Sequence, residues 1–95
     1  MNMIDGKTST GFAFTIPRER LDNMELLDAL AEADNGNVLA VSNAVTLLLG
    51  AGQKKALYDH LRTPDGRVPV AKVADALGEL MNSFTAGKNS ASSPN

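Results

Sequence analysis

An apolar helical stripe broken by two glycines constrains this chain more than any other feature in it. Val45, Leu48 and Leu49 continue a spacing begun at Val38 and Val41, so one helical face is apolar as far as Gly50. Gly50 and Gly52 interrupt the pattern. Leu57, Tyr58 and Leu61 then resume it, with Lys54, Lys55, Asp59 and Arg62 mostly on the other side of the wheel. The spacing predicts a helical hairpin or a sharply bent helix pair over Val38–Arg62, with glycine as cap and hinge. Glycine near a helix start costs about 0.5–1 kcal/mol relative to alanine, so the second member of the pair needs tertiary contacts to hold it.

The segments around this pair are read in the same way. Met1–Thr10 is polar, with Gly6 among Ser and Thr, and is expected to be disordered. Gly11–Ile16 alternates Phe12, Phe14 and Ile16 against Ala13 and Thr15, the period of a half-buried strand, and Pro17 stops it. No later segment alternates as well, so this strand is either an extended arm packed on helices or an edge that pairs with another chain. A helical turn over Pro17–Leu21 precedes a helix with Asp22 as N-cap, Glu25 at N3, and Leu21 stapled to Leu26. That helix carries two apolar rows, one of Leu21, Met24, Leu27 and Ala31 and one of Leu26, Leu30 and Ala33. A face so broad is either central in a bundle or shared with a partner. Asn35-Gly36 ends it with a left-handed cap.

Thr63-Pro64-Asp65-Gly66 matches a type I turn. Val68-Pro69 opens a last helix along Val70, Val73, Ala74, Leu77, Leu80, Met81 and Phe84, and a flexible tail is expected from Gly87 onward. The expected fold is therefore mainly α, a small bundle of about four helices. An N-terminal extended strand or arm precedes it, residues 11–86 form the single helical domain, and the C-terminal tail is disordered.

Charge and residue inventory narrow the chemistry. From Arg18 to Asp34 six acidic residues face two basic ones, whereas from Ala51 to Lys72 five basic residues face two acidic ones. Such halves either complement each other weakly within one fold or dock like subunits head to tail. The chain has no cysteine, which excludes disulfides and thiolate metal sites. No signal peptide or spanning segment is read, so the cytoplasm is the expected compartment. His60 sits beside Asp59, but neighbouring residues on a helix point apart, and no motif places a nucleophile, a P-loop or a dinucleotide fingerprint. Neither an enzyme, a metal nor a cofactor is expected. Val68–Gly78 looks like the opening of a helix-turn-helix, yet no basic recognition helix follows, and no nucleic-acid partner is expected.

Read from Gly11 to Phe84, the chain resembles the small tail assembly chaperones encoded beside the tape-measure gene of long-tailed, non-contractile bacteriophages and prophages. The likeness is carried by the strand ending in Ile16-Pro17, by Leu21-Asp22-Asn23-Met24-Glu25-Leu26-Leu27, and by Leu47-Leu48-Leu49-Gly50. It is strongest in Gln53–Arg62 followed by Asp65-Gly66-Arg67-Val68-Pro69. Gly52 departs from the helix-favouring acidic residue expected there. The resemblance implies a helical, non-enzymatic protein that coats the tape-measure protein in the host cytoplasm and yields to tail-tube subunits. Such a protein is absent from the mature virion. The alternating strand Phe12–Ile16 and the opposed charge of the two segments together suggest self-association. A helical adaptor or head–tail connector is the competing class. Phe12, Phe14, Ile16, Leu26, Leu30, Lys54, Lys55, Tyr58 and Arg62 are the residues expected to meet a partner. The resemblance also implies a longer frameshifted product, with Ala86-Gly87-Lys88 as the slippery site at the start of the tail.

Overall fold

A computed structural model describes the backbone of residues 3–92 and the side chains of residues 3–84. In chain order it has strands β1 (Met3–Lys7) and β2 (Ala13–Pro17), a 3₁₀ turn (Arg18–Leu21), and helices α1 (Met24–Asp34), α2 (Leu39–Leu61) and α3 (Val70–Ser92).

The first correction falls at the N-terminus. Residues 3–10 are ordered as the first arm and turn of a hairpin, β1 pairing antiparallel with β2 in the register Ile4 opposite Ile16 and Gly6 opposite Phe14. The turn closes with Thr8 N–H donating to Phe12 C=O at 2.9 Å and Gly11 N–H to Thr8 C=O at 2.9 Å, with Gly11 at φ 96°. Gly6, which reads as coil in the sequence, is where the Phe14 ring lies: a Cβ there would stand 2.5 Å from Phe14 Cζ. An aromatic ring folded over a strand glycine supplies the packing the glycine lacks. Residues 1 and 2 lie outside the described part.

This pairing also decides how the alternating strand is used. Phe12, Phe14 and Ile16 point into the helices and are buried, Ile16 completely. The far edge of β2 is closed by Gln53 of α2, whose carboxamide accepts from Thr15 N–H at 2.9 Å and donates to Thr15 C=O at 2.8 Å.

Helix α1 starts one residue later than expected, because the 3₁₀ turn runs into Asp22, whose N–H bonds Glu19 C=O at 3.1 Å. Asn23 is the N-cap, accepting from Glu25 N–H at 3.0 Å. The C-terminus is a Schellman motif, with Gly36 N–H on Ala33 C=O at 3.1 Å, Asn37 N–H on Glu32 C=O at 3.0 Å, and Gly36 at φ 98°. One of the two apolar rows is buried, and of the other only Leu21 packs against the core. Leu26 and Ala29 are buried, with Leu30 and Ala33 partly so, whereas Met24 is 68% and Leu27 51% exposed.

Helix α2 is the centre of the molecule. Val41, Ala44, Val45, Leu48 and Leu49 from its first half and Leu57 and Leu61 from its second all lie in the core. Three helices are found where about four were expected, α2 counting as one continuous element, although its two segments meet at a non-helical residue as the bent pair expected from the sequence does. Helix α2 is sharply kinked at Gly50, which lies at φ 81°, ψ 166°. The Arg20 guanidinium reaches the kink, Nη1 standing 3.4 Å from Leu48 C=O, one of the carbonyls the break deprives of a helical partner.

The turn at Thr63–Gly66 forms as expected, Gly66 N–H bonding Thr63 C=O at 2.9 Å. Helix α3 then buries Val73, Ala76, Leu77 and Leu80 against α2 and the hairpin. Its backbone continues to Ser92, so the tail expected from Gly87 is helical as far as that residue, and Ala86–Lys88 lies inside a helix. Residues 93–95 lie outside the described part. Among the described residues no helix follows α3 to complete a helix-turn-helix, and no helix is long and apolar enough to cross a membrane.

Candidate partner interface

Of the nine residues expected to meet a partner, Phe12, Phe14, Ile16 and Leu26 are core residues, none more than 8% exposed. Burial within their own chain removes them from any free surface of the monomer. The basic residues of α2 are engaged locally. Lys54 Nζ bonds Ser42 Oγ at 2.9 Å and Thr46 Oγ1 at 2.7 Å and stands 5.5 Å above the centre of the Tyr58 ring, tying the two halves of α2 across the kink. Asp59 takes Lys55 at 3.2 Å and Arg62 at 3.0 Å, and these partners, Arg62 first, hold its carboxyl below the ordinary aspartate range.

The ion pairs among the described residues are these two and Arg67 with Asp65, so none joins the acidic segment before Asp34 to the basic segment after Ala51. Among the described residues the two halves are therefore not joined by an ion pair within the fold. All three pairs are exposed and contribute little to stability.

His60 serves the hairpin. Its Nε2 lies 3.0 Å from Thr10 C=O and its ring centre 5.8 Å from that of Phe12. On the opposite side of the same loop Glu79 of α3 accepts from Ser9 N–H at 2.6 Å and from Ser9 Oγ–H at 2.7 Å. These two bonds, the hydroxyl's first, lower the Glu79 carboxyl from its ordinary value of 4.5. A depressed carboxyl stabilises the fold fully above its unfolded value and loses that contribution as pH falls through the lower folded one. A Glu79→Gln variant is therefore expected to melt below the wild type at neutral pH, with the gap closing as pH falls below 4.5. Thermal melts across pH read this directly, and a gap that does not change with pH would show that the carboxylate is not the stabilising group.

The surface also carries clefts between the helices. Along the junction of the three helices Leu30, Ala33, Val41, Ala74, Leu77 and Met81 line an open apolar seam of about 220 Å³. Val41 continues it into a smaller hollow of about 140 Å³, walled by Val38, Tyr58, Val68, Val70 and Val73. Val38 and Val70, at the starts of their helices, are exposed at its mouth. Leu30 and Tyr58 are the expected partner residues that the structure brings to this surface. The valines and alanines were legible only as parts of core stripes, because helical spacing cannot tell a covered position from one at the rim.

On the other flank of α1 the carboxylates of Glu25, Asp28 and Glu32 face Leu39, Ala40 and Leu47 of α2 across a cleft of about 490 Å³, with Leu39 81% exposed. No group of three or more His, Cys, Asp or Glu side chains that could hold a metal ion occurs among the described residues. No protein-family model, curated protein or solved structure matches this chain.

Proposed function

We propose that this protein is a non-enzymatic assembly chaperone of the phage-tail type, which holds an amphipathic helix of the tape-measure protein along its three-helix seam. The observation that carries the reading is the seam itself: apolar side chains from α1, α2 and α3 line one open cleft, and Val41 is shared with the valine-walled hollow beside it. Helix-in-groove binding uses such a surface, with anchors from the ligand's i, i+3, i+4 and i+7 positions filling the hollows. The resemblance in Gln53–Pro69 supports the same reading, and it places the activity in the host cytoplasm before tail-tube subunits displace the chaperone.

Ala74 gives the test. It is exposed and lines the seam, so a glutamate there stays in water in the free protein but is desolvated beneath a bound helix. Co-expression with the tape-measure protein is expected to give a soluble complex. Ala74→Glu should weaken that complex at least about tenfold while leaving circular dichroism unchanged. Equal binding by the variant would remove the seam from the function. Recovery of the protein in purified virions would favour the connector.

A further inference from the structure

The two edges of the N-terminal hairpin are not equivalent. Thr15 lies opposite Asp5 in the β1–β2 register, yet its N–H and C=O both bond the Gln53 carboxamide. Groups aimed at Gln53 are aimed away from β1, so Asp5–Thr15 is a non-hydrogen-bonded pair. By the alternation of an antiparallel ladder, so are Met3–Pro17 and Lys7–Ala13. Pro17, which has no N–H to donate, agrees with this phase, and so does the bond from Thr8 N–H to Phe12 C=O. The backbone groups of Met3, Asp5 and Lys7 are therefore directed outward from β1, where among the described residues they meet no hydrogen-bond partner. Helix α2 closes one edge of the sheet. The other, unbonded among the described residues, is a template for a strand.

We propose that this edge pairs with β1 of a second copy of the chain, antiparallel about a two-fold axis, to give a four-stranded sheet. Charge selects the register. With Gly6 opposite the second copy's Gly6, Asp5 stands opposite Lys7 and Lys7 opposite Asp5, both as hydrogen-bonded pairs, because the odd-numbered residues are the ones facing outward. Asp5 and Lys7 are exposed, and the second copy's residue of opposite sign would lie across the new ladder from each. A register centred on Asp5 would instead set two carboxylates face to face. The pairing is isologous and self-complementary, as a closed dimer requires. It also enlarges a two-stranded sheet, which is marginal alone. It does not depend on what the helical seam binds.

Sedimentation of the full chain over a micromolar-to-millimolar range tests it. The wild type is expected to dimerise. Lys7→Asp, which sets like charges opposite each other twice, should weaken the dimer about tenfold, and adding Asp5→Lys to it should restore the affinity. Asp5→Pro removes an outward N–H without touching the ladder to β2, and should abolish the dimer with circular dichroism unchanged. If Asp5→Pro disturbs the fold, the charge-reversal set decides alone. A wild type that stays monomeric, a folded Asp5→Pro protein that still dimerises, or a charge swap that fails to recover affinity would each overturn the proposal.

Discussion

Replacing Phe14 by alanine is expected to destabilise the fold by about 3–5 kcal/mol, the range for deleting a buried ring. Phe14 is 3% exposed, within the cluster formed by Ile16, Leu57 and Leu80. Its ring also covers Gly6 from across the hairpin. Alanine would open a cavity under the sheet and leave the Gly6 backbone bare, so the hairpin and its hold on the helices fail together. A small domain has only about 5–15 kcal/mol in all, and the midpoint of urea unfolding should fall steeply. A Phe14 that served only to meet a partner would behave differently. Its alanine variant would unfold within about 0.5 kcal/mol of the wild type, as surface substitutions do, and lose binding alone.

Gly50→Ala is the second large effect. At φ 81° and ψ 166° Gly50 occupies a region essentially reserved for glycine, where a side chain costs about 1–3 kcal/mol in strain. The Arg20 guanidinium must also give way, since a Cβ would stand 2.6 Å from its Nη1 at the end of a flexible side chain. The two causes separate in a double-mutant cycle. Arg20→Ala removes the obstruction and the contact with Leu48 C=O, so the double variant should recover the steric part of the loss and retain the conformational part. Denaturant midpoints that fall equally for Gly50→Ala in both backgrounds would assign the whole effect to the backbone. A Gly50→Ala protein as stable as the wild type would mean that the kink is not required.

The expected partner residues divide according to what local pattern can convey. Phe12, Phe14 and Ile16 were legible as one face of a strand, but whether that face meets its own helices or another molecule depends on where the strand lies. Leu26 and Leu27 are neighbours on a helix broad in apolar residues, and only contact with α2 decides that the first is buried and the second exposed. The three-helix seam was not legible, since it draws its lining from residues as far apart in sequence as Leu30 and Met81. Lys54, Lys55 and Arg62 read as a basic surface, whereas tertiary placement sets Lys54 over Tyr58 and Asp59 between the other two.

Local chemistry by itself determined the helical class, the break at Gly50, the Asn35-Gly36 cap and the Thr63–Gly66 turn. Each depends on backbone preference or on a period that a few consecutive residues express. Only the tertiary structure decided that Met3–Lys7 is a strand, because its composition has no strand pattern of its own. Its order comes from a ladder to β2 and from the Phe14 ring lying on Gly6. The same holds for the asymmetry of the hairpin's edges, which arises from Gln53 reaching Thr15 across 38 positions of sequence. A contact between distant segments leaves no period in either of them, and so nothing in either segment alone announces it.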